Sequence, residues 1–287
     1  MTINVRLLVA GRSVQRQRFA RRSGGWQRIG FPATVALLEH PEYGHTLFDT
    51  GYAPRFREAT DRFPQRLYRW LVPVELDADD AAVEQLGALG ITPGQVPTVV
   101  LSHLHGDHIG GLRDFPDARI VWSAATELAG ATPGLPGSLG AALGTTRHGF
   151  LPALLPPDLL GRVQAMESMP VVDTGLPGFG TGHDLFGDGS VVLVPLPGHA
   201  PGHLGLWLPA TQGTPLFLVG DACWLRAAFL SGDLPPAWVL RTLGGQESYT
   251  HTVESLARLA AARPDIVIVP SHCAESVADA IGALAGG

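Results

Sequence analysis

The chain has 287 residues, 45% of them apolar, with 36 Gly and 24 Pro, a composition that suits a well-cored, loop-rich globular protein. The net charge is −6, which argues against a nucleic-acid partner because phosphate binding wants a basic surface; every one of the 20 basic residues is arginine. The two cysteines, Cys223 and Cys273, form no CxxC pair, which argues against a disulfide framework and a structural zinc knuckle.

The opening MTINVRLLVAG is too short an apolar run for a signal peptide, and the twin arginine of ARRSGG is followed by no hydrophobic region. No run reaches the roughly 18 apolar residues of a membrane span. The expectation is a soluble, cytoplasmic protein with no membrane partner, folded as one domain over residues 1–287.

In chain order, residues 3–11, 33–40 and 45–51 are short segments rich in β-branched residues and read as strands, with Pro41 and Gly44 marking a turn between the last two. The arginine-rich residues 12–28 read as a solvated surface loop. Residues 52–76 carry aromatics among polar residues and read as an irregular or helical lid. An acidic start and a terminal glycine predict a helix over 77–90, and TPGQ at 92–95 a short capped turn. Strands follow at 96–103 and 117–123. Residues 130–190 are Gly/Pro-rich, with one helix expected near 152–164, and read as connecting loop that shapes a substrate site. Strands resume at 190–199, 204–209 and 215–221; a helix at 248–263, a strand at 265–272 and a helix from about 274 to 285 complete an α/β layer pattern.

VVLSHLHGDHIGG places His103, His105, Asp107 and His108 directly after an apolar run. At an extended strand end His103 and His105, two apart, face the same side, and Gly106 lets the chain turn so that Asp107 and His108 project from a new direction. One metal can be gripped by the first pair and a second by the other. Imidazole with carboxylate suits Zn²⁺, Fe or Mn better than Ca²⁺ or Mg²⁺. The plainer alternative is a loop that is merely His-rich.

HLHGDH resembles the His-x-His-x-Asp-His signature of the metallo-β-lactamase fold hydrolases, and further motifs of that family stand in order: FDTG with Asp49, PGHAPGH with His199, GDA with Asp221 and PSH with His272. The resemblance implies a four-layer αββα sandwich with a metal site at the edge of its two sheets. It implies one metal held by His103, His105 and His199, a second held by Asp107, His108 and His272, and Asp221 bridging both. Asp49 is expected to orient a ligand or hold a loop, and His203 to support a ligand or to serve packing. His40, His45, His148, His183 and His251 fit no such pattern and read as surface or structural residues, and Cys273 as a small buried hydrophobe.

The same resemblance implies a hydrolase in which a hydroxide shared by two zinc ions (Fe or Mn being alternatives) cleaves a lactone or carboxylic ester, with Asp107 or Asp221 passing a proton to the leaving oxygen. No GxSxG elbow supplies a serine nucleophile. LPGHAPGHLGLWL and LVGDACW look most like the lactonase branch that opens acyl-homoserine lactones, with one departure. That branch carries a tyrosine three residues after the bridging aspartate, and this chain has Trp224 there. Trp224 and Phe229, with Phe63, Tyr68, Trp70 and Leu71, are candidates for an acyl-binding pocket or, equally, for core packing or a homodimer contact. The alternatives weighed are a glyoxalase II-like thioesterase with the same ligand set, an iron-dependent sulfur dioxygenase of the same fold, a nuclease, which net charge and length oppose, and a non-catalytic binding protein, which a complete ligand set opposes.

Overall fold

Alternating burial builds the layers. In the computed structural model, which describes residues 2–126, 128, 144, 146, 149–242 and 245–286, strands β1 (Asn4–Arg16), β2 (Arg28–His40), β3 (Gly44–Phe48), β4 (Val74–Glu75), β5 (Thr98–Val100), β6 (Arg119–Trp122) and β7 (Val163–Ala165) form a seven-stranded sheet in the order β4-β1-β2-β3-β5-β6-β7. Strands β8 (Val171–Asp173), β9 (Thr181–Asp184), β10 (Val192–Pro195), β11 (Leu204–Leu208), β12 (Leu216–Gly220) and β13 (Val267–Pro270) form a six-stranded sheet in the order β13-β12-β11-β10-β9-β8.

Successive side chains of a strand point to opposite faces, and here each face has its own core. On β2, Val35 and Leu37 join Tyr52, Phe56, Leu86 and Phe115 in an outer core, whereas Ala36 and Leu38 face the second sheet. On β12, Leu216 and Leu218 meet that inter-sheet core, and Phe217 and Val219 pack against Val253, Leu256 and Leu259 of the helix Gln246–Ala262. Three cores separating four layers are the αββα sandwich. No helix among the described residues is long and apolar enough to cross a membrane.

Three stretches differ from their sequence reading, one being 152–164, which is not a single helix but the short turns Pro152–Leu154 and Leu159–Arg162 leading into β7. Residues 12–28 are not a solvated loop: β1 continues past a register shift between Val9 and Arg12, and Arg12 to Arg16 pair with Pro32 to Arg28. The arginines fit because they stand at outward positions, Arg12 pairing with Glu75 while Ser13 turns inward. The short helix Gln17–Ala20 then carries Phe19 to the rim of the cavity described below. Within 130–190, residues 171–173 and 181–184 are strands, joined by a turn whose Gly175, Gly178 and Gly180 have positive φ. The lid segment 52–76 contains the helices Arg55–Ala59 and Gln65–Leu71. The expected turn at 92–95 carries a reciprocal cap between Thr92 and Gln95.

Gly198, immediately before His199, has φ +128, and a Cβ there would run into the backbone of Tyr249. Replacing it with alanine is expected to destabilise the protein by about 2–4 kcal/mol, from the backbone conformation and the overlap together. A thermal-unfolding midpoint unchanged in Gly198→Ala would contradict this close approach.

Candidate metal centre

Five loops at the carboxyl ends of strands converge. β3 leads to Asp49, β5 to the histidine cluster, β10 to His199, β12 to Asp221 and β13 to His272. The chain turns at Gly106 into the short helix Gly106–Ile109, so Asp107 and His108 approach from another side than His103 and His105. Gly220, at φ +53, lets β12 bend into Asp221; a Cβ there would stand 2.8 Å from His203 Nε2.

The ligand-type atoms form two groups, His103, His105, His199 and Asp221 in one and Asp107, His108 and His272 in the other, with the atoms of each within 4.8 Å of one another. His199 Nε2 lies 3.0 Å from His105 Nδ1 and 3.3 Å from Asp221 Oδ2. On the other side, His272 Nε2 lies 3.1 Å from Asp221 Oδ2 and 3.3 Å from Asp107 Oδ2, and His108 Nε2 lies 3.4 Å from Asp221 Oδ1. Asp221 thus stands between the groups. Among the described residues His103 Nε2, His108 Nε2 and Asp221 Oδ1 are buried with no hydrogen-bond partner. Buried polar atoms are ordinarily satisfied, so inward-facing orphan atoms of this donor type fit a pair of divalent ions. Three imidazoles with one carboxylate beside two imidazoles with a carboxylate is a nitrogen–oxygen set that zinc, iron or manganese accepts.

Three of the ring nitrogens facing outward are held, whereas His199 Nδ1 is buried without a partner among the described residues. His108 Nδ1 is 2.7 Å from Asp49 Oδ2, His272 Nδ1 is 2.7 Å from the Pro32 carbonyl, and His103 Nδ1 is 3.0 Å from Ser102 Oγ. Asp49, fully buried and at φ 62, also accepts the Ser102 amide and hydroxyl, each at 2.8 Å. His203 takes no place in either group. It faces the Leu196 carbonyl through Nδ1 at 3.0 Å and accepts the Asp221 amide on Nε2 at 3.0 Å, so it fixes the backbone that presents Asp221. Ser102 was not singled out by sequence reasoning; its position directly before the cluster was the available signal.

Asp49→Asn is expected to weaken metal binding about 10–100-fold, because the amide cannot accept from both Ser102 and His108. Competition against a chromophoric chelator measures this, and unchanged affinity would deny Asp49 an orienting role.

The electrostatics divide the site. Burial lowers the protonation of His103, His105 and His199, keeping these rings neutral and ready to bind metal. Burial acts the same way on His108 and His272, but carboxylates win there. Asp49, Asp221 and Asp107 hold His108 well above its ordinary value, and Asp221 with Asp107 pushes His272 up to about 9. Asp221, against its own burial, is kept well below the usual carboxylate range by His272, His108 and His199.

A cavity of about 670 Å³ opens over the site, lined by Asp107, Asp221 and His272 on its floor and by Phe19, Leu71 and Trp238 among its apolar walls. Trp224 lines it too, with its indole N–H donated to Asp221 Oδ2 at 3.1 Å, so it offers the cavity a ring and not a free donor. Phe229 does not line it. The helix Ala227–Ser231 turns Phe229 inward, where it is buried among the residues of the third core. Phe63 and Trp70 are exposed, whereas Tyr68 and Leu71 line the cavity. Of the remaining histidines, His40 is buried against Asp188 at 2.9 Å, His45 and His183 face carbonyls, His251 is exposed, and His148 lies outside the described residues. Cys273 is buried.

Comparison with known proteins agrees with this architecture. Residues 28–272 match the Metallo-beta-lactamase superfamily. The N-acyl homoserine lactonase AttM of Rhizobium radiobacter is 31% identical over 247 residues, covering 84% of this chain and 81% of that one. AiiB, an N-acyl homoserine lactonase of Agrobacterium fabrum (strain C58), is 28% identical over 265 residues, covering 88% and 83%. An N-acyl homoserine lactone hydrolase solved with the product N-hexanoyl-L-homoserine at its catalytic metal center superposes with a TM-score of 0.72 at 20% identity, covering 97% of each chain, a likeness of fold. Sequence match, sandwich and convergent strand ends together make this chain a member of the metallo-beta-lactamase superfamily.

Proposed function

We propose that the protein is a metal-dependent hydrolase that opens N-acyl homoserine lactones or closely related lactones with two zinc ions. The observation that carries the reading is the pair of ligand groups sharing Asp221 beneath a largely apolar cavity. A polar reacting centre below apolar walls suits a small polar ring bearing an acyl chain. AttM and AiiB are curated as lactonases, and the structural relative AidC is a dizinc lactonase, at TM-score 0.63.

In this reading His103, His105 and His199 would hold one ion, Asp107, His108 and His272 the other, with Asp221 shared, and the pair would supply Lewis acidity and a more acidic water there. The chain's own groups do the rest. The apolar walls that include Phe19, Phe31 and Phe150 seat the acyl chain. Asp107, at the cavity floor and 3.3 Å from His272, is placed to take a proton and return it to the leaving alkoxide, and Asp221 is the alternative carrier. The ring of Trp224 closes one side.

A cytoplasmic location and pairing of two copies belong to the same reading. The first is supported by two buried, unpaired thiols and the second by exposed Phe63, Trp70 and Leu71; light scattering tests the pairing. The activity is tested with zinc-loaded protein on a panel of acyl-homoserine lactones, aryl esters and glutathione thioesters. The highest kcat/KM is expected on the lactones, and preference for the thioesters would replace this reading with a glyoxalase-type one.

A further inference from the structure

The hydrolysis proposed above develops negative charge on the substrate carbonyl oxygen, and a preorganised donor aimed at that oxygen stabilises it. Several of the donors around the cavity are already committed. The Trp224 N–H is committed to Asp221 Oδ2, Gln15 Nε2 to the Leu71 carbonyl at 2.8 Å, and Thr242 Oγ1 to the Val239 carbonyl at 2.7 Å. No arginine is among the described residues that line it.

Tyr68 is different. It lies on the helix Gln65–Leu71, is half-buried, and lines the cavity together with Asp107, Asp221 and His272. Its ring is fixed edge-on to Phe56 at 6.1 Å, and Phe56 edge-on to fully buried Tyr52 at 4.9 Å, an aromatic ladder that ties this wall of the cavity to the outer core. Burial, and then the charges of Asp107 and Asp221, raise the Tyr68 phenol well above its ordinary value. Burial, the largest cause, keeps the proton on the oxygen, so the phenol enters the cavity it shares with Asp107, Asp221 and His272 as a donor.

We propose that the Tyr68 hydroxyl donates a hydrogen bond to the carbonyl oxygen of the bound lactone as charge develops there, making Tyr68 a catalytic residue contributed by the segment between β3 and β4. This rests on the lactonase reading.

The test is Tyr68→Phe, which keeps the ring and its packing on Phe56, in zinc-loaded protein turning over N-hexanoyl-L-homoserine lactone. The expected result is kcat lowered about 10²-fold, with KM within about twofold, and metal content and thermal midpoint unchanged. A kcat within twofold of the parent, or a loss confined to KM, would overturn the proposal; the second outcome makes Tyr68 a wall of the acyl pocket. Parent protein that holds two metals and opens no lactone would instead overturn the lactonase reading itself, so the two failures are distinguishable.

Discussion

Asp221→Asn is expected to lower lactone turnover by at least about 10³-fold and to reduce bound metal from two ions per chain towards one. The side chain lies between the two candidate ligand sets, Oδ2 reaching His199 and His272, and Oδ1 reaching His108. An amide of the same shape leaves packing intact but offers one neutral oxygen where the site has two charged ones, and an open coordination position costs Lewis acidity as well as affinity. Because His203 and Gly220 hold the backbone of residue 221 independently of the carboxylate, the variant is expected to fold normally. Metal analysis, kcat and the thermal midpoint are measured together. Wild-type turnover by a variant that retains two ions would sink the bridging role.

The convergence of the histidine cluster is legible because its candidate ligands are close in sequence, and strand alternation followed by a glycine turn says from which side each approaches. The layers were legible for the same local reason: the final helix occupies residues 274–285 as its pattern predicts, and the strands at 192–195, 204–208 and 216–220 fall inside their apolar runs. What the sequence concealed is long-range. The extension of β1 through Arg16 is decided by its pairing with residues 28–32, which a charge-rich run does not advertise. β8 and β9 are short, and the glycine-rich turn between them has the composition of a loop; their hydrogen bonds to one another and to β10 make them strands.

The support of the metal centre is long-range too. Asp49 reaches Ser102 across 53 positions and His108 across 59, and the Pro32 carbonyl reaches His272 across 240. The Asp49 backbone stands in a left-handed conformation that nothing in FDTG announces. For Phe229 composition left pocket wall and core packing equally open; a single helical turn decides direction, and that turn faces the core.

Stripping the metal with a chelator is expected to abolish hydrolysis and to leave a protein whose stability declines as pH rises from about 6.5 to about 9. In the chelated chain His272, pushed up to about 9, and His108, also raised, are the cations that neutralise Asp49, Asp107 and Asp221. A histidine whose folded value exceeds its unfolded value of about 6.5 stabilises the fold fully below that value, and the contribution disappears as pH climbs through the folded one. Above it, three buried or half-buried carboxylates face one another without a counter-charge. In metal-loaded protein the ions take over the neutralisation and the same rings bind neutral, so this alkaline decline should vanish while affinity for the ions improves as protons leave. Thermal midpoints of chelated and loaded protein, followed from pH 6.5 to 9.5, should therefore diverge with increasing pH. Parallel curves would mean that His108 and His272 are not the groups whose protons the metal displaces.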